Sequence, residues 1–109
     1  MSNLTEQKCI PCEGGVKPLS RAEAEQYLTQ ITGWTLADDA KSIQQRFEFK
    51  GFYKTVAFIN SMAWIANQQM HHPDFSAGYN FCTVTFTTHA IDGLSENDFI
   101  CAAKIDQQT

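Results

Sequence analysis

Residues 52–69, FYKTVAFINSMAWIANQQ, repeat apolar side chains at helical steps and commit the chain to a fold built around one long helix. Phe52, Val56, Ile59, Ala63 and Ala66 recur at intervals of four, three, four and three residues. Phe58, Met62 and Ile65 widen that stripe, which predicts a heavily buried helix with its aromatic and Met side chains in the core. Pro73 pushes His72 toward extended backbone, so the helix is expected to finish near His71.

The flanking segments fill in a layered domain. In LSRAEAEQYLTQI, Ser20 and Glu23 form a capping box, Ala24, Tyr27, Leu28 and Ile31 supply an apolar stripe, and Gly33 is the expected stop. WTLADDAKSIQQRFEF reads as two strands around a polar turn, with Ile43, Phe47 and Phe49 on one side of the second. YNFCTVTFTTH alternates as a strand, with Cys82, Val84 and Phe86 opposite Tyr79, Phe81, Thr83, Thr85 and Thr87. If that strand runs on, His89 falls on the Thr-lined face. In DGLSENDFICAAKI, Ser95 is the expected N-cap of a last helix, Asp98 stands at its third position, and Leu94 can staple to Phe99. The order is helix, two strands, long helix, two strands, helix. It predicts a two-layer α+β fold, a four-stranded antiparallel sheet with three helices on one face. Residues 20–109 form one domain and residues 1–19 an N-terminal arm.

Composition bounds the function. A chain of 109 residues with 43% hydrophobic content is one small globular domain, for which self-association is an economical way to cover surface. A net charge of −4 without a Lys/Arg cluster argues against nucleic acid as the ligand. The opening MSNLTEQK lacks the apolar core of a signal peptide, and no apolar run is long enough to span a bilayer. The expectation is a soluble cytoplasmic protein. Cys9 and Cys12 have metal-site or redox spacing, but no second CxxC follows, and the pair lies in a Gly/Pro-punctuated stretch instead of opening a helix. It reads as part of the arm.

His71 and His72 are adjacent and followed by Pro73, and His89 is the third histidine. As a chelate this reads poorly. Adjacent side chains diverge by about 100° on a helix or to opposite faces of a strand, and only Asp74 stands near at ligand spacing. Proton transfer fits better: an imidazole with a reference pKa of about 6.5 donates and accepts near neutral pH, and a helix C-terminus favours its charged form. Two imidazoles at a helix exit and a third at a strand end could surround a cleft, one as acid and another as base. Taken singly, each also fits an exposed capping or turn residue.

The spacing HHP, five residues to Tyr79, nine more to His89 and eight more to Asp98 resembles the signature of the pterin-4a-carbinolamine dehydratases. The wider text HHPDF…YN…VTFTTHAIDGLSENDF is similar to the same family, and the element order extends the resemblance over residues 20–107. It implies dehydration of 4a-hydroxytetrahydropterin to quinonoid dihydropterin, which recycles the cofactor of aromatic amino-acid hydroxylases, so such a hydroxylase is an implied partner. It further implies that His71 and His89 transfer protons, that His72 orients substrate and can donate, and that Asp98 orients an imidazole. Pro73 and Tyr79, with His72, are the implied substrate-binding residues. No metal or bound cofactor is implied, since the pterin is the substrate, and the family implies a homodimer or homotetramer. Asn67 departs from the pattern, which usually carries a charged residue, most often Glu, four residues before the first histidine. An amide one helical turn below His71 can orient its ring but cannot stabilise an imidazolium by charge. The alternative that the resemblance carries is a non-catalytic dimerisation or interaction module of the same fold.

Overall fold

Ser20 opens α1 (Arg21–Leu28) by accepting the Glu23 N–H at 3.1 Å, while the Glu23 carboxylate accepts the Ser20 N–H at 2.9 Å. That reciprocal box satisfies donors which a helix start leaves unpaired. The computed structural model describes residues 4–10 and 17–108. α1 ends at Leu28, earlier than the sequence suggests. Gly33, with φ of +87°, instead turns the chain toward β1 (Thr35–Leu36), a conformation open to glycine.

β2 (Ile43–Glu48), α2 (Phe52–Gln69), β3 (Asp74–Ala77), β4 (Phe81–Phe86) and α3 (Glu96–Asp106) follow. The strands pair antiparallel in the order β1-β2-β4-β3. Phe47 lies opposite Cys82 and Gln45 opposite Val84, so Ile43, Phe47, Cys82, Val84 and Phe86 share one buried face under the helices. On the other face the Arg46 guanidinium stacks over Phe81 at 4.0 Å. This is the expected α+β architecture, a four-stranded antiparallel sheet with three helices.

The long helix spans the segment read from the sequence, and its buried side is the flank of the stripe that Phe58, Met62 and Ile65 supply. Its buried residues are Thr55, Phe58, Met62, Ile65 and Ala66, whereas Phe52 and Ala63 are exposed. Apolar residues lie on more than one side of the segment, so its period alone does not set the edges of the buried face, and packing decides. Tyr53 and Trp64 are left 88% and 64% exposed, too open for the heavily buried helix that the pattern suggested. No described helix is long and apolar enough to cross a membrane.

The arm is tied to the domain where it is described. Leu4 sits in the core at the start of a 3-10 turn (Leu4–Glu6), and Lys104 Nζ of α3 donates to the Thr5 carbonyl at 2.8 Å. Cys12 lies outside the described residues, so the CxxC pair is seen only at Cys9.

Candidate active site

The exit of α2 places the first histidine. Met70 adopts the left-handed conformation (φ 56°, ψ 37°), its N–H bonds the Asn67 carbonyl at 3.3 Å, and the His71 N–H bonds the Ala66 carbonyl at 3.1 Å. This is a Schellman close, and it ends the helix at Gln69, two residues before the point expected from Pro73. A methionine in that conformation is strained. Met70→Gly is therefore expected to stabilise the fold by about 1 kcal/mol, read as a higher urea midpoint at unchanged slope.

Turned inward by this exit, the His71 ring stacks parallel to Phe86, with centroids 5.9 Å apart and planes 7° from parallel. Its Nε2 lies 2.6 Å from Asp98 Oδ1, and the Asp98 side chain is wholly buried. The other carboxylate oxygen accepts from the Thr88 hydroxyl at 2.8 Å and the Ser95 N–H at 3.0 Å. Since Thr88 donates to Asp98, the 2.7 Å contact between Thr88 and Ser95 is donated by the Ser95 hydroxyl. The carboxylate is thus held from three sides and accepts a hydrogen bond from Nε2–H, leaving Nδ1 as the nitrogen that gains or loses a proton. Burial lowers the proton affinity of His71, but the hydrogen bond and charge of Asp98, with a smaller contribution from Cys9, outweigh it. The pKa is raised above the usual value near 6.5.

An open cleft of about 810 Å³ reaches His71 of this pair, and His72 and His89 also line it. The three histidines reach this one cleft by different routes. His72 is exposed just beyond the helix exit. β4 stops at Phe86, so His89 does not continue its Thr-lined face. It begins a 3-10 turn (His89–Ile91) under the bridge between Thr88 and Gly93, and lies on the rim 3.8 Å from Asp74 Oδ2. Both partners of that ion pair are exposed, so it contributes little to stability.

Other residues singled out from the sequence lie elsewhere. Pro73 is half-buried at the entry to β3. Tyr79 is exposed in the turn between β3 and β4, where its carbonyl accepts from Thr55 at the start of α2. That is the opposite end of an 18-residue helix from His71, a span of about 27 Å at the helical rise. Asn67 is exposed and gives its carbonyl to the helix close, while the Nε2 of His71 is taken by Asp98. The left-handed turn at Met70 moves His71 off the helical face on which Asn67 would have lain beneath it.

The sequence reading missed Thr88 and Cys9. Thr88 continues the buried alternation of Cys82, Val84 and Phe86, and a hydroxyl on that face needs a buried partner, so a signal existed. Cys9 lines the cleft from the arm, and nothing local in the sequence places it there. Among the described residues, no group of three or more His, Cys, Asp or Glu side chains is placed to hold a metal ion.

A carboxylate-braced imidazole on a cleft wall, with two further imidazoles around it, defines a small acid/base site. Comparison with known proteins gives the class a family. The model of the pterin 4 alpha carbinolamine dehydratases matches residues 17–108. A protein of Nitrosomonas eutropha provisionally named pterin-4-alpha-carbinolamine dehydratase is 57% identical over 95% of this chain and 91% of its own length. A Legionella pneumophila protein of the same provisional name is 49% identical over 97% of this chain and 95% of its own. The chain belongs to the pterin-4a-carbinolamine dehydratase family and is an enzyme of the hydro-lyase class. Among solved structures, a Brucella melitensis protein described as a transcriptional coactivator/pterin dehydratase is similar at a TM-score of 0.79 and 31% identity, over 84% of this chain and 97% of that one. A pterin dehydratase-like protein described as a RuBisCO assembly factor in the alpha-carboxysome shares the fold at a TM-score of 0.60 and 21% identity, over 69% and 87%.

Proposed function

We propose that this protein dehydrates 4a-hydroxytetrahydropterin to quinonoid dihydropterin by histidine acid/base catalysis in the His71 cleft. The observation that carries the reading is the 2.6 Å pairing of His71 with buried Asp98 on the wall of a cleft that His72 and His89 also line. Water leaves when its oxygen at C4a is protonated and the proton on N5 is removed. His71, with its raised proton affinity, is the acid that delivers a proton to the departing hydroxyl. His89, which lines the same cleft, takes the N5 proton, and His72 orients the ring. Asp98 is a positioning residue. Proton transfer suffices for this step, so the reading assigns no metal and no resident cofactor. A monooxygenase that releases its pterin 4a-hydroxylated, such as an aromatic amino-acid hydroxylase, is the class of reaction that supplies the substrate. A cytoplasmic setting belongs to the same proposal. Dehydration of the enzymatically generated carbinolamine, followed by its ultraviolet absorbance, tests the reading. Turnover well above buffer is the expected result, and a rate equal to buffer overturns it.

We also propose a homodimer or homotetramer that uses the outer face of α2. Tyr53 and Trp64 are eleven residues apart, within about 20° of each other around the helix, and both are largely exposed. Trp64→Lys is expected to move the sedimentation coefficient to that of a monomer while circular dichroism is unchanged. A wild type that already sediments as a monomer counts against the assembly.

A further inference from the structure

We propose that Cys9 and Cys101 are a redox-responsive dithiol, which a hydroperoxide converts to a disulfide fastening the arm to α3 beside the cleft. The dehydration step proposed above moves no proton through either thiol, although Cys9 lines the same cleft. Their sulfurs are 3.6 Å apart, so a bond requires an approach of about 1.5 Å. Cys9 can make that approach, because it lies in an irregular segment. The same segment is held in place by contacts from two helices. The Cys9 N–H donates to Gln69 Oε1 at 2.9 Å, and Asn97 grips Ile10 through both its backbone groups, at 3.0 and 2.6 Å.

The three described cysteines are not equivalent. Cys82 and Cys101 are wholly buried, whereas Cys9 is half-buried and faces the cleft. An oxidant entering the cleft therefore meets Cys9 first, and Cys101 is the thiol placed to resolve it. The charge distribution agrees. The Cys101 S–H hydrogen bond lowers the Cys9 pKa against the effect of burial, His71 and Lys104 lower it further, and Asp98 opposes them. Its counterpart is pushed up by the same bond and by burial, and stays a thiol.

The chemistry closes in two steps. The Cys9 thiolate attacks the peroxide O–O bond, an S–O bond forms, and the departing oxygen takes a proton to leave as the alcohol, or as water from hydrogen peroxide. Cys101 sulfur then attacks the sulfenic sulfur, the S–S bond forms, and hydroxide leaves with the Cys101 proton as water. The two thiols lose two electrons and the peroxide gains them.

Hydrogen peroxide treatment of the full chain carrying Cys12→Ser tests this, since that background removes the competing thiol of the CxxC pair. After alkylation and digestion, mass spectrometry is expected to find a Cys9–Cys101 linked peptide that dithiothreitol reverses and Cys9→Ser abolishes. Cys82 is expected to be recovered as a free thiol, and the oxidised protein to melt at a higher temperature than the reduced one. Recovery of Cys9 as a free thiol or as a sulfinic acid, with Cys101 unlinked, overturns the proposal. So does wild-type protein in which Cys9 links to Cys12 in preference to Cys101. The link is read without turnover, so its failure and that of the dehydratase reading are distinguishable.

Discussion

His71→Ala is expected to lower kcat for carbinolamine dehydration by about 10²- to 10⁴-fold, the range for losing one positioned general acid, with KM changed far less. The expectation rests on how completely the fold specifies this ring. Helix exit, Phe86 and Asp98 fix its position, its plane and its tautomer in turn. Substrate affinity depends on the whole cleft, which keeps its other walls in the variant. The pH profile gives a second reading. The active acid is the imidazolium, so the rate falls on the alkaline side as pH rises through a His71 pKa above the usual 6.5. That alkaline limb should disappear in His71→Ala. A variant within a few-fold of wild type, with the limb intact, would move the acid to another residue.

How much of this was legible in the sequence depends on the range of the interaction. The extent of α2 and the starts of α1 and α3 are local matters of period and capping, and Ser20 and Ser95 mark the helix starts where the sequence puts them. The buried side of α2 was legible at Phe58, Met62, Ile65 and Ala66, but the exposure of Phe52 and Ala63 was not, because packing decides where an apolar stripe ends. The left-handed Met70 was also silent: glycine announces that conformation, methionine does not. The same division holds at the site. That His71, His72 and His89 could surround one cleft was read from their places along the chain, whereas the imidazole contact of Asp98 came only with the family resemblance. Read locally, Asp98 is the third residue of a capped helix, which is true, since it accepts the Ser95 N–H. Its other oxygen crosses to His71, a contact 27 residues away that no local rule contains. Tyr79 shows the converse: its spacing matched a pattern, and the β3–β4 turn carries it to the far end of α2.

Asp98→Ala is expected to destabilise the protein by about 3–5 kcal/mol, because it removes the shared acceptor of a buried network. Three donors lose their partner at once: His71 Nε2, the Thr88 hydroxyl and the Ser95 N–H. Thr88 and Ser95 are both nearly inaccessible to water, so solvent cannot replace the carboxylate. The pH dependence of the loss has a definite sign. A histidine whose folded pKa is raised contributes stability that is full below its unfolded pKa, near 6.5, and lost as pH rises through the folded value. Urea unfolding of wild type should therefore show that stabilisation draining away on the alkaline side of 6.5, and Asp98→Ala should lack the slope. Asp98→Asn separates the structural role from the positioning role. The amide oxygen still accepts from Thr88 and Ser95, so the cost falls to about 1–2 kcal/mol, but its NH₂ now faces Nε2 and makes that nitrogen an acceptor. The proton then sits on Nδ1 of a neutral ring, in the wrong tautomer and without the charge that raised its pKa. Asp98→Asn should accordingly fold, bind pterin with little change in KM, lose much of kcat, and move the remaining alkaline limb to lower pH. Full kcat in Asp98→Asn would show that the carboxylate is a helix cap and nothing more, and equal stability in Asp98→Ala and wild type would show that it is not even that.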